Sequence, residues 1–184
     1  MVDVIIGDDV ANSWHLHEAL LCETSAFFKA AFQSAFQEAK ERKVRLPEEE
    51  NHIFALFVQW LYSGNYATQD MDILIHTYIL GDRLQATHFA TLALSKIFEA
   101  ARWSTFTPKQ AAYIGKNTVE SCALRRLVVD TVAYALLSGV QYSPESWKMM
   151  KGLHNELFRA VSAYTAWNAP GKIFNPKPLE TYLS

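Results

Sequence analysis

The sequence predicts an α+β domain over residues 2–104, an all-helical extension over 105–167 and a proline-rich extended tail over 168–184. Three observations predict it. Strand-like patterns occur only in the first hundred residues, in Val2 to Ile6, in Trp14-His15-Leu16-His17 and at Val44-Arg45-Leu46. From Ser25 onward, apolar residues recur three and four positions apart, which a helix needs in order to bury one face. The composition, 50% hydrophobic and 20% charged, is that of a chain with a packed core. By size scaling, a 20.9 kDa chain buries about 70% of its unfolded surface on folding, enough for one domain and a compact annex.

Val2 to Ile6 is a β-branched run ended by Gly7-Asp8-Asp9, and a second strand over Trp14 to His17 follows the turn. Ser25 is placed to cap a helix carrying Phe27, Phe28, Ala31, Phe32, Ala35 and Phe36. Gln37 to Glu50 holds nine of the thirty-six charged residues and reads as a loop, a third strand at Val44-Arg45-Leu46 and an acidic turn. Asn51 is the expected cap of the next helix, whose apolar face is Ile53, Phe54, Phe57, Trp60 and Leu61, with Gly64 ending it. Two more helices are expected, Asp72 to Leu84 and Thr87 to Trp103. Thr107-Pro108-Lys109-Gln110 combines an N-cap threonine, proline at N1 and glutamine at N3, so a new helix opens there. Helices over Cys122 to Ser138, from Ser143-Pro144-Glu145, and over Leu153 to Trp167 complete the set. Pro170, Pro176 and Pro178 forbid a continued helix, hence the extended tail.

Seventeen basic and nineteen acidic side chains leave a formal charge of −2, without the basic excess that a nucleic-acid backbone demands. Cys22 and Cys122 are far apart, and MVDVIIGDDV has neither the basic start nor the apolar run of a signal peptide. The uncharged stretch from Ile53 to Gln69 contains Gln59, Ser63, Gly64 and Asn65, too polar for a bilayer. The expectation is a soluble protein of the cytoplasm or nucleus that binds neither membrane nor nucleic acid directly.

Catalytic constellations are missing from the sequence. No glycine-rich phosphate loop and no G-x-S-x-G elbow occurs. No catalytic residue, cofactor or metal is therefore assigned. His15 and His17 share a strand face near Cys22, three ligands where a closed metal site needs four. The simpler reading has one histidine half-buried on a backbone group and the other at the surface. Phe27, Phe28 and Phe32 read as core, whereas Phe36 lies at the end of the stripe beside the charged segment. It is either a satellite of the core or an exposed anchor, and burying one phenylalanine in a partner is worth roughly 1.5–3 kcal/mol.

The run His17-Glu18-Ala19-Leu20-Leu21, then Ser25, Phe28, Phe36-Gln37-Glu38-Ala39, Val44-Arg45-Leu46 and Phe57-Val58-Gln59-Trp60-Leu61-Tyr62-Ser63-Gly64 resembles a BTB/POZ domain. Tyr78-Ile79-Leu80-Gly81-Asp82-Arg83-Leu84 fits the same family's following helix, and the wording is most similar to BTB proteins of filamentous fungi. The resemblance implies a three-stranded sheet flanked by helical hairpins, and association with other proteins instead of catalysis. In cullin-binding members an apolar-x-Glu motif precedes the third strand; Phe36, Gln37 and Glu38 stand in that place as the partner-binding residues, Phe36 entering a cullin-3 pocket and Glu38 beside it. Dimeric transcription-factor members pair a first-strand aspartate with a base after the family histidine. Here Asp3 is kept but Glu18 replaces the base, and two carboxylates make no such pair. The extra strand and helix that those dimers swap ahead of the first strand are also not expected, since only Met1 and Val2 precede Asp3.

The function expected is a scaffold or adaptor, with cullin-3 as the implied partner. The alternative is a homo- or hetero-oligomerisation module with itself or another BTB protein, as in a transcription or chromatin co-regulator. The helices after Thr107 occupy the place of the helical extension in the family's cullin adaptors, and no recognisable client-binding module follows.

Overall fold

The structure is a computed structural model describing residues 1–8, 11–33, 37–102, 105–167 and 177–183. The chain divides into two compact units, Met1–Ala93 and Leu94–Ser184.

In the first unit β1 (Val2–Ile6) is the middle strand of a sheet of order β2-β1-β3. It pairs antiparallel with β2 (Ser13–Leu16), setting Val4 opposite Trp14, and parallel with β3 (Lys43–Leu46), setting Val4 opposite Val44. Flanked on both sides, β1 buries Val2, Val4, Ile5 and Ile6, which is why it reads as a continuous apolar run instead of an alternating one. A parallel partner requires a long connection, and α1 (Glu18–Thr24), α2 (Ala26–Gln33) and α3 (Gln37–Glu41) lie along it.

Ser25 caps α2 as expected. The Phe28 N–H donates to Ser25 Oγ at 3.2 Å, and the Ser25 hydroxyl donates in turn to the Leu84 carbonyl. The Ala26 and Phe27 N–H groups reach the carbonyls of Gln85 and Leu84, so the start of α2 is satisfied by the chain at residues 84–85. Two expectations need correction, and one helix was not anticipated. Glu18–Thr24 is helical, although only Leu21 of it is buried and no period shows. Gln37–Glu41 is a helical turn where a loop was expected, ended by Arg42 at φ 54°. Asn51 is the first residue of α4 (Asn51–Ser63), not its cap; its Oδ1 accepts the Trp14 indole N–H at 2.8 Å, and Glu50 holds the cap position without a side-chain bond.

At the other end of α4, Gly64 adopts φ 75° and donates to the Trp60 carbonyl at 2.7 Å, a left-handed terminus that favours glycine. Asp70 caps α5 (Met71–Arg83) by accepting from the Asp72 and Ile73 N–H groups. α6 (Thr87–Ala101) approaches α5 closely, since a Cβ on Gly81 would sit 3.0 Å from the Ala90 Cβ and backbone nitrogen. The predicted face of α4 is buried in full, and its aromatic side chains centre the core. Phe57 lies with its ring centroid 5.4 Å from Phe54, 5.8 Å from Trp60, 5.2 Å from Phe89 and 6.2 Å from Phe28.

The second unit is helical, as expected. α7 (Pro108–Asn117) opens with the full capping box: the Gln110 N–H donates to Thr107 Oγ1 and the Thr107 N–H to Gln110 Oε1. α8 (Ala123–Leu137) and α9 (Pro144–Met149) follow, then a 3-10 turn over Met150–Leu153 that leads into α10 (His154–Trp167). Arg125, buried in α8, spends all five guanidinium N–H donors. Two go to the Glu156 carboxylate, at 2.8 Å each, and the others to the carbonyls of Gly115, Thr118 and Gly152, at 2.7–2.9 Å. One side chain thus joins α7, α8, the 3-10 turn and α10. The Glu156 bond raises the Arg125 guanidinium above its ordinary range, so it stays charged. Of the expected extended tail, residues 168–176 and 184 lie outside the described residues, and Glu180–Leu183 form a helical turn, α11, instead.

Candidate protein-docking cleft

α2 is apolar at Ala26, Phe27, Phe28, Ala30, Ala31 and Phe32, six of its eight residues. So wide an apolar surface cannot all face one core. Phe28 and Phe32 are buried; Phe27 and Ala31 are half-buried and Ala30 is exposed, giving α2 a second apolar strip on its outer side. Phe27, read from the sequence as core, belongs to this strip.

The strip forms one wall of an open cleft of about 740 Å³. Glu38 and Glu41 of α3 and Lys43, Val44 and Arg45 of β3 line the rest. β3 is hydrogen-bonded to β1 on one side, and among the described residues no strand pairs with its other edge. The alternation of β3 keeps Val44 and Leu46 buried and leaves Arg45 exposed. An apolar floor is therefore edged by two carboxylates on α3 and two bases on β3. A surface of this kind binds a polypeptide segment through apolar contact and oriented charge pairs.

Of the three residues expected to meet a partner, Glu38 is exposed in the first turn of α3 and lines the cleft. Gln37 opens α3, and Phe36 lies outside the described residues. Sequence reasoning did not single out Phe27, Ala30, Ala31 or Val44. The width of the α2 apolar surface was the available signal, since a buried face needs only about half of a helix.

The charges near the sheet are paired in an unexpected way. Asp3 Oδ1 lies 2.8 Å from His15 Nδ1, and Glu18 pairs with Arg42 at the end of α3. Arg42 also donates to the Met1 carbonyl at 3.3 Å. His17 Nδ1 lies 2.8 Å from the Tyr62 hydroxyl, which also accepts the His17 backbone N–H. Both histidines are exposed, so neither is the half-buried, backbone-bonded residue that the sequence suggested. Burial pushes the Cys22 thiol up, with Glu18 adding to this and Lys29 opposing it, and a protonated thiol is a poor metal ligand. Among the described residues, no group of three or more His, Cys, Asp or Glu side chains is placed to hold a metal ion. No helix among them is long and apolar enough to cross a membrane.

A family model of the BTB/POZ domain matches residues 1–101, which takes in the sheet, the cleft and all of α4 and α5. No curated protein matches the chain.

Proposed function

Since the chain belongs to the BTB/POZ family, whose domains mediate protein–protein interaction, we propose that it is a non-enzymatic adaptor of the cytoplasm or nucleus that docks on a cullin-3-type ubiquitin ligase. Phe36, Gln37 and Glu38 are the docking triplet in this reading, and the second, helical unit is left to engage a client. The observation that carries it is the open cleft beside α3. Phe27, Ala30, Ala31 and Val44 form its apolar floor, with Glu38 of the triplet on its rim. The amphipathic segment of a partner that pairs with Glu38 would extend into it.

Self-association has less support. Asp3 and Glu18, at the positions of the dimer-specific charge pair, are taken by His15 and Arg42 of the same chain.

Calorimetric titration of the full chain with the N-terminal domain of cullin-3 tests the docking. Phe36→Ala and Glu38→Lys should each weaken binding by more than ~1 kcal/mol, as a hot-spot residue does, with an unchanged circular dichroism spectrum. Binding unaffected by both substitutions would remove the triplet from the interface. Light scattering that shows a constant dimer mass would favour the oligomerisation alternative.

A further inference from the structure

In the second unit, residues 177–183 lie against α8 in the manner of a bound peptide. Tyr182, 2% exposed, donates its hydroxyl to Asp130 Oδ2 at 2.9 Å, and its ring packs 6.3 Å from that of Phe98. Lys177 Nζ reaches the same carboxylate oxygen at 2.7 Å and sits 5.9 Å from the centroid of the Tyr164 ring. Arg126 donates to the Tyr182 carbonyl at 2.7 Å. Asp130 is itself only 8% exposed, and Lys177 and Tyr182 meet its carboxylate where the Tyr164 phenol of α10 also faces it. The segment meanwhile satisfies much of its own backbone: the Thr181 N–H donates to the Pro178 carbonyl and the Tyr182 N–H to that of Leu179. It meets the body through the Lys177 and Tyr182 side chains and the Tyr182 carbonyl. Around it a cleft of about 250 Å³ stays open, edged by Glu120, Glu156 and Arg159.

We propose that this face of α8 is a docking site for short peptide segments carrying a lysine five residues before a tyrosine, with the chain's own C-terminal segment as resident occupant. A partner protein bearing the same pair displaces it. The recognition elements are few and specific: a buried carboxylate that demands both a cation and a hydroxyl donor, an aromatic slot beside Phe98, and a guanidinium for the carbonyl of the tyrosine. The inference stands on the second unit alone, and cullin docking plays no part in it.

The test uses the full chain with a protease site placed within residues 168–176, cut after purification. The probe is a labelled peptide of residues 176–184, followed by fluorescence anisotropy. The cut protein should take up this peptide saturably. Peptides with Tyr182→Phe or Lys177→Met should bind at least about tenfold more weakly, because each leaves the buried Asp130 short of a partner. Asp130→Asn in the protein should have a similar effect, and the peptide variants keep the test valid if that protein folds poorly. A peptide with alanine at every position except the lysine and the tyrosine should still displace the probe. Absence of saturable uptake, equal binding of the Tyr182→Phe peptide, or failure of the alanine-rich peptide to compete would each overturn the proposal.

Discussion

Replacing Arg125 with methionine should cost about 3–5 kcal/mol of stability, the range for breaking a buried pair by removal of one partner. The side chain is 7% exposed, and methionine keeps much of its unbranched apolar length, so the loss comes from unmet hydrogen bonds more than from lost volume. Methionine leaves the Glu156 carboxylate and the carbonyls of Gly115, Thr118 and Gly152 facing an apolar group. Arg125→Lys keeps the charge but offers three donors from a single point, where the guanidinium spreads five over a plane. It should lose roughly half as much. Pairing Arg125→Met with Glu156→Met should recover part of the loss, because the buried charge goes as well. The urea midpoint at constant slope reads all three variants. Equal midpoints for Arg125→Met and the parent would show that the network contributes nothing.

Phe57→Ala should destabilise the first unit by about 3–5 kcal/mol, as phenylalanine truncations in packed cores do. Phe57 is fully buried and contacts the rings of Phe28, Phe54, Trp60 and Phe89, which come from three helices and leave little room for collapse into the cavity. Phe27→Ala provides the contrast. Half-buried on the wall of the cleft, Phe27 gives up far less packing, and its removal should cost less than about 1.5 kcal/mol. The same denaturation series distinguishes them. Comparable losses at the two positions would mean that Phe27 is core, and that the cleft lacks the apolar wall assigned to it.

Local chemistry was readable wherever the sequence needed no distant partner to explain it. Thr107 and Gln110 are a complete capping box within four residues, and Gly64 marks a left-handed terminus by itself. The five apolar positions of α4 repeat often enough to define a face. Misreadings arose where a residue's role is fixed from far along the chain. Asn51 looks like a cap until Trp14 claims its side chain, and α1 is too short for its one buried leucine to show a period. Nothing local singles out Arg125 in the apolar run of α8, because its partner Glu156 is thirty-one positions away. The tail followed the same rule: its prolines argue for an extended chain, while Tyr182 answers to Asp130. The candidate site was legible in part. Glu38 and its charged surroundings came from the sequence, whereas the outer strip of α2 required knowing which of its phenylalanines the core had already taken.

Hydrogen exchange of the full chain, with and without a saturating N-terminal domain of cullin-3, tests the docking account most directly, since it reports both binding and place. The account predicts slowed exchange over α2, α3 and β3, residues 26–46, where Phe27, Glu38 and Val44 meet. Unchanged exchange across that stretch, whether or not other regions respond, would contradict it.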